Sequence, residues 1–181
     1  MQVDRIVPVD ARGRIDEALI EGSAGEVFAA LQKIPPGELP RLGVLFRYFQ
    51  WAMPFLADKP LYAQMLDSGF AVMGVIPLRE VVLGRIAQGL SLLSSFPRVK
   101  NRAELIAHDE KGFLKVVLSF NLAKEEMNDK SYTRVGATLK IWPSGHGSGF
   151  LFALLWPLAS FAGGVFARDW MRALARRVAN K

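Results

Sequence analysis

The chain has 181 residues, 23 Lys and Arg against 17 Asp and Glu, and a hydrophobic fraction of 51%. This length suits one domain with one core, and the composition excludes a disordered, collagen-like or coiled-coil protein. The chain has no cysteine and only 2 histidines. These counts exclude a disulfide framework, a thiolate metal site and a cysteine nucleophile, so we expect neither a metal nor a cofactor.

The N-terminal residues, MQVDRIVPVDARGR, carry acidic groups and lack the apolar core of a secretory signal. Without a signal and without cysteine, we expect a cytoplasmic protein. We predict one domain over residues 1–181, in which residues 1–13 form an extension or an extra strand.

The first predicted elements are a strand at residues 14–21 and a short helix after it. Ser23 and Glu26 have the spacing of a capping box, which marks the beginning of that helix. Residues 42–56 are rich in aromatic residues and Met and fit a second helix that stops before Pro54. This second helix packs in the core or forms a flexible lip over a ligand cavity.

The middle of the chain predicts an antiparallel meander. The predicted strands are residues 70–76, 80–87, 102–108, 113–122 and 132–142, of which the third is the weakest. In residues 113–122 and 132–142, apolar and polar side chains alternate. We therefore predict a sheet with one apolar face and one solvated face, the apolar face being covered by another element.

A long C-terminal helix at residues 148–179 is the predicted cover. Phe150, Leu154, Leu158, Phe161 and Val165 approximate one apolar stripe along it. Pro157 and the Gly163–Gly164 pair predict a bend or a break. Residues 149–167 also have the length of a membrane span, which leaves a membrane-attached protein as an alternative.

Several sequence segments together resemble one known group of proteins. They are IEGSAGEVFAAL (20–31), VIPLREVVLGRIA (75–87), GFLKVVLSFNL (112–122), YTRV (132–135) and ALLWPL followed by FARDWMRALARR (153–177). In this order they are similar to the START-like (SRPBCC) helix-grip superfamily, which includes polyketide cyclases and Bet v 1-type proteins. The resemblance implies an α+β fold: a curved antiparallel sheet of about six to seven strands wrapped on the C-terminal helix, with two short helices after the first strand.

The resemblance also implies an apolar cavity between the sheet and the C-terminal helix. We expect the cavity to bind or carry a hydrophobic small molecule such as a lipid, an aromatic compound or a polyketide, without evident catalysis. A cyclase or dehydratase that uses the same cavity is the alternative. The predicted wall residues are Phe70, Val72, Leu83, Leu118, Phe120, Leu139, Phe150, Leu154 and Trp156. The candidate polar anchors are Glu80, Arg85, Arg134 and His108, although strand parity turns Arg134 away from the apolar face.

Basic residues gather near the C-terminus at Arg168, Arg172, Arg176, Arg177 and Lys181. Cations at this end complement the helix dipole, and they also suit weak contact with an anionic membrane surface. Nucleic acid is not an expected partner, because no aromatic residues alternate with basic ones along a strand. The glycines around His146 lack phosphate-loop spacing and predict a simple turn.

Overall fold

The computed structural model describes residues 6–8, 11–41, 58–88, 98–145 and 149–180. The predicted helix at residues 42–56 lies outside the described residues. The elements are β1 (Arg12–Glu21), α1 (Ala24–Leu31), a 3-10 turn (Pro36–Glu38), α2 (Leu61–Asp67), β2 (Ala71–Ile76), β3 (Glu80–Gln88), α3 (Arg102–Ala107), β4 (Phe113–Met127), β5 (Lys130–Pro143) and α4 (Gly149–Ala179).

The transition from β1 to α1 follows the predicted capping box. The Ser23 hydroxyl accepts a hydrogen bond from the Glu26 amide, and the Glu26 carboxylate accepts one from the Ser23 amide at 3.0 Å. Two amides at the beginning of the helix are thereby satisfied. Val27 and Leu31 then turn into the core and are fully buried.

The described strands form one antiparallel, curved sheet of five strands in the order β1-β5-β4-β3-β2. The longest pair, β4 and β5, is joined at Asn128 and Asp129, whose φ angles are 50° and 60°. Two successive positive φ angles are typical of the hairpin turn whose twist matches the strands. The strand count is lower than predicted because residues 102–107 are helical in the structure.

The strand predicted at residues 102–108 was wrong, and α3 takes its place. The Asn101 side chain accepts a hydrogen bond from the Glu104 amide at 3.0 Å and caps the helix. Asn followed three positions later by Glu is an N-terminal helix signal that outweighs the weak strand pattern. Leu105 is the fully buried residue of this short helix.

We call the side of the sheet that carries Leu83 and Phe120 the inner face. Against it pack α1, α2 and the C-terminal half of α4, in a core cluster that includes Leu31, Leu61 and Trp170. The N-terminal half of α4 covers the other end of the same face. This arrangement of a sheet and a long C-terminal helix is α+β and consistent with a helix-grip fold.

The prediction that the opposite, outer face is solvated is correct for only part of that face. Val82, Ile86, Val117 and Trp142 on this face are buried with Leu105 of α3. Other residues of the same cluster are Ile6, Ala11, Val99 and Phe113. Polar side chains on this face are buried as well: Lys115 is 7% exposed and donates to the Ile106 carbonyl at 2.7 Å. The alternation of apolar and polar residues predicts a solvated face, because it carries no information about other parts of the chain. In the structure, Leu105 of α3 and Ile6 pack on this face.

Helix α4 runs through 31 residues with Pro157 inside it. The helix is therefore not broken at Pro157 or at the glycine pair. Gly163 and Gly164 serve close packing: a Cβ at Gly163 would lie 2.6 Å from Cδ2 of Leu139, and a Cβ at Gly164 would lie 2.3 Å from Cζ of Arg14. The two glycines allow the helix backbone to approach β5 and β1.

The side of α4 that faces the sheet also differs from the prediction. Leu154, Leu158 and Phe161 are 67%, 42% and 59% exposed. Phe152 and Ala159 pack on the sheet instead, together with Trp156, which was a predicted wall residue. The segment is apolar on both sides, so its periodicity alone does not select the buried one. In the described part of the chain, no helix has both the length and the apolar character needed to cross a membrane.

Candidate binding site at the inner face

The candidate site lies where the N-terminal half of α4 covers the inner face. Side chains from β3, β4, β5 and α4 meet there in what we call the aromatic cluster. Its members are Phe70, Ala87, Leu114, Val116, Leu139, Ile141, Phe152, Trp156 and Ala159. The rings of Phe152 and Trp156 are 5.9 Å apart. Three predicted wall residues, Phe70, Leu139 and Trp156, belong to this cluster and are half-buried.

Arg85 lies on the same face of the sheet as the aromatic cluster. Its strand partner is Val116, a buried member of that cluster. The Arg85 side chain is 1% exposed, and its guanidinium carbon lies 5.3 Å from the centre of the Phe70 ring. Its Nε donates to the Ile86 carbonyl at 3.3 Å. A predicted polar anchor therefore lies among apolar and aromatic side chains.

Burial changes the charge equilibrium of Arg85. Removal from water disfavours the charged guanidinium and lowers its pKa to about 10. The side chain stays predominantly cationic at neutral pH. A cation held in an apolar environment interacts more strongly with an anionic or carbonyl oxygen than the same cation in water.

A second arginine lies across the sheet from Arg85. Arg85 pairs with Val116, Val116 with Ile141 and Ile141 with Arg12 in one cross-strand row. The Arg12 guanidinium carbon lies 5.7 Å from the centre of the Phe152 ring. The row thus places two apolar residues between two cations, each near an aromatic ring.

Sequence reasoning missed Arg12 and Phe152. Phe152 precedes Trp156 by one helical turn, and residues four apart share a helix face, so this spacing was available as a signal. Arg12 shares the strand parity of Ile20, but it precedes the strand predicted at residues 14–21 and falls in the predicted extension or extra strand of residues 1–13.

The remaining predicted wall residues lie elsewhere. Leu83, Leu118 and Phe120 are buried in the core cluster around Trp170, away from the aromatic cluster. Val72 and Leu154 are 40% and 67% exposed. Phe150 belongs to α4, and its side chain lies outside the described residues.

The other predicted polar anchors are not at the candidate site. Glu80 is buried on the outer face, where its strand partner is Asn121. Arg134 is exposed on the outer face and pairs with Glu125 at 2.6 Å and Glu17 at 3.5 Å, the direction that strand parity predicts. His108 ends α3, and its ring meets Phe113 edge-on at 5.3 Å.

Two depressions in the described surface lie outside the aromatic cluster. One, of about 680 Å³, is formed between β2 and α3 by Val72, Met73, Ile106 and their neighbours. The other, of about 810 Å³, lies between α1, the 3-10 turn and the end of α4. Within the described residues, no group of three His, Asp or Glu side chains has the arrangement of a metal site.

The arginines at the end of α4 divide into two sets. Arg177 makes a two-pronged ion pair with Glu38, with Nε 2.9 Å and 3.0 Å from the two carboxylate oxygens. Arg176 donates to the Glu38 carbonyl at 2.9 Å. Arg168 and Arg172 remain exposed on the preceding turns. Glu38 therefore engages two of the four arginines that the sequence offered as membrane contacts.

Comparison with known proteins identifies no family. No family of known proteins matches the sequence, and no curated protein matches it. A conserved protein from Geobacillus kaustophilus superposes with a TM-score of 0.47 and 11% identity, covering 93% of this chain and 96% of that one. A protein from Thermus thermophilus gives 0.37 and 10%, covering 93% and 98%. Ara h 8.0201 gives 0.28 and 10%, covering 94% and 99%. Because these three TM-scores are below 0.5, the description of the fold rests on this chain's own strands and helices.

Proposed function

We propose that this protein binds a hydrophobic small molecule between the inner face of its sheet and the N-terminal half of α4, in the manner of a helix-grip carrier. The observation that carries the proposal is the burial of Arg85, 1% exposed, on the apolar side of the sheet. Charged side chains are rarely buried this completely, because removing a cation from water is costly. A ligand seated on the aromatic cluster would lie next to this cation, whose guanidinium carbon is 5.3 Å from the centre of the Phe70 ring.

The surroundings of Arg85 indicate the chemistry of the ligand. Phe70, Trp156 and Phe152 offer aromatic surface, and Leu139 and Ile141 offer aliphatic surface. A ligand with an apolar body and one anionic or carbonyl group would match this combination, since a guanidinium pairs with such oxygens. Fatty acids and acidic aromatic compounds have this composition.

A cyclase or dehydratase would use the same site for a reaction. Such an enzyme needs a group that exchanges protons near neutral pH beside its substrate. Arg85, with a pKa of about 10, is suited to holding an oxygen rather than to exchanging its proton. Binding is therefore the function that the site supports better.

The test uses Arg85→Met and a matched control, Arg134→Met. Methionine keeps the length and apolar stem of arginine and removes the charge, and Arg134 lies exposed on the outer face. The probe is 8-anilino-1-naphthalenesulfonate, an apolar fluorophore with one negative charge. We expect Arg85→Met to weaken probe binding on the order of tenfold, the effect of losing one charge-assisted hydrogen bond, and Arg134→Met to leave it unchanged.

Native mass spectrometry of the unmodified protein, with solvent extraction, is the second measurement. A co-purifying molecule with an apolar body and an acidic group supports the proposal. Equal probe affinity in both variants, with circular dichroism confirming that both are folded, would overturn the role of Arg85. Absence of probe binding to the unmodified protein would overturn the proposed function itself.

A further inference from the structure

The side of α4 that faces away from the sheet carries an apolar stripe. Leu154, Leu158 and Phe161 are 67%, 42% and 59% exposed. Their spacing of four and three residues places them on one helix face. Residues 141–167 contain no Asp, Glu, Lys or Arg, so no charged side chain of α4 interrupts this stripe. Large apolar side chains that lie exposed next to one another mark an interaction surface.

Two exposed arginines continue the same helix face. Arg168 and Arg172 follow Phe161 at two and three turns. Arg168 Nε donates to the Gly164 carbonyl at 2.9 Å. Arg172 lies 4.0 Å from Asp169, whose side chain is only 3% exposed. The surface thus presents an apolar half followed by a cationic half, and the adjacent carboxylate is buried.

The opposite side of α4 is fixed on the sheet. Phe152 and Trp156 pack in the aromatic cluster, and the Gly163 backbone lies against Leu139. A helix held along one side exposes only the other to a partner. This geometry suits a helix lying parallel to a membrane surface and does not suit a span.

We infer that the surface formed by Leu154, Leu158, Phe161, Arg168 and Arg172 docks on an anionic lipid bilayer. The apolar side chains enter the boundary between headgroups and acyl chains, while the two guanidinium groups contact lipid phosphates. Charge complementarity selects this occupant, because the exposed charges of this face are cationic. The inference is independent of the proposed ligand site, since these side chains lie on the other side of the helix.

The test is co-sedimentation of the full chain with vesicles of phosphatidylcholine, with and without added phosphatidylserine. We expect binding to the anionic vesicles that falls with added salt. Arg168→Gln with Arg172→Gln should lower the partition on the order of tenfold. Leu154→Gln with Phe161→Gln should abolish it.

Matched controls lie on exposed positions of the strands. Ile15→Gln with Leu19→Gln removes apolar side chains that are 62% and 43% exposed, and Lys124→Gln removes a cation whose side chain is 64% exposed. These variants should sediment like the unmodified protein.

Three results would overturn the inference. The first is equal binding to vesicles with and without phosphatidylserine. The second is an equal loss in the Ile15 and Leu19 control. The third is absence of vesicle binding. If the unmodified protein is then a dimer, and Leu154→Gln with Phe161→Gln makes it a monomer, the surface joins two copies of the chain.

Discussion

Individual glycines of this chain have different physical roles, which the space around each one distinguishes. A Cβ on Gly84 would lie 2.8 Å from Cγ of Met73 and 2.9 Å from Cδ2 of Leu105, among the side chains that are buried on the outer face of the sheet. A Cβ on Gly25, in α1, would meet no atom within 4 Å. Glycine at position 84 is therefore required by packing, while glycine at position 25 is not.

We expect Gly84→Ala to lower the free energy of unfolding by about 1–3 kcal/mol, because an extra methyl group must displace packed side chains. Gly25→Ala should raise it by up to about 1 kcal/mol, because alanine has the higher helix propensity. Urea unfolding of the two variants measures both effects. Equal stability of the two variants would contradict the contacts described for Gly84.

The stability of the protein above pH 10 should depend on Tyr62. Burial of this half-buried side chain of α2 raises the pKa of its phenol above the ordinary value of 10.0. In the unfolded chain the phenol ionises near pH 10, whereas in the folded protein it stays protonated to higher pH. Unfolding then releases a proton, so stability that is complete below pH 10 is lost as the pH rises further.

Tyr62→Phe removes this ionisation and keeps the ring. We expect the unfolding free energy of the unmodified protein to fall more steeply than that of the variant between pH 9 and pH 11. Chemical unfolding at several pH values measures the difference. Parallel curves would show that the phenol is not desolvated in the fold.

Side-chain direction within strands was the most predictable feature of the sequence. In β5, Val135, Ala137 and Ile141 are buried on the inner face, and Arg134 lies on the outer face, as alternation predicts. The side chain of Lys115 has the predicted outward direction but is buried. Lys115 reaches the Ile106 carbonyl because α3 packs against this face of the sheet. No local sequence pattern encodes that contact.

Among the elements, the end of α4 and the 3-10 turn are joined by the ion pair of Arg177 and Glu38. Both side chains are 34% exposed. A two-pronged, half-buried pair is stronger than a flexible surface pair. The pair attaches the last turn of α4 to the segment that follows α1.

A double-mutant cycle on Arg177→Met and Glu38→Gln should give a coupling free energy of about 0.5–1.5 kcal/mol. The same cycle on Lys124 and Glu126, whose side chains are 64% and 71% exposed, should give a value near zero. Thermal or urea unfolding supplies the four stabilities of each cycle. Equal coupling in the two cycles would show that Glu38 does not fix the end of α4.

Element boundaries were predictable wherever a local signal specified them. The capping box at Ser23 predicted α1, and the strands predicted at residues 70–76 and 80–87 correspond to β2 and β3. The capping signal at Asn101 is present in the sequence, directly before the residues that were predicted to form a strand. For α4, the sequence predicted the helix and not its buried side, because apolar residues surround the helix axis and only the sheet decides which of them it covers.

At the scale of the whole molecule, α4 contributes a tryptophan to each of two packed regions, and the two tryptophans differ in burial. Trp170 is 1% exposed and contacts Phe120 and Phe166, with ring centres 4.7 Å and 4.9 Å away. Trp156, in the aromatic cluster, is only half-buried. The same helix therefore contributes one tryptophan to the core and one to the candidate site.

We expect Trp170→Ala to cost about 3–5 kcal/mol of stability, the usual cost of deleting a buried aromatic side chain. Trp156→Ala should cost clearly less and should change the affinity for the anionic fluorophore. Unfolding and probe titration on both variants measure these effects. A larger stability loss for Trp156→Ala than for Trp170→Ala would reverse the roles assigned to the two ends of α4.

The candidate site was predictable in its kind and only partly in its residues. Phe70, Leu139, Trp156 and Arg85 were expected at the cavity that the family resemblance implies, and they lie together in the structure. Leu83 and Phe120 share the predicted face but lie at its other end. A face can be inferred from parity, whereas the position along that face depends on where α4 crosses the sheet.

The pairing of β1 with β5 has a consequence for biosynthesis. Glu21 pairs with Tyr132, so the first strand of the sheet acquires its hydrogen-bond partner only after most of the chain has been made. At about 5–20 residues per second, a ribosome leaves β1 without that partner for many seconds. The β4–β5 hairpin, whose strands adjoin in sequence, can form as soon as it emerges, and it then offers β1 an open edge. Pairing of β1 with β5 joins residues that are far apart in the sequence. Because such long-range contacts form slowly, we expect this step to set the folding rate of the domain.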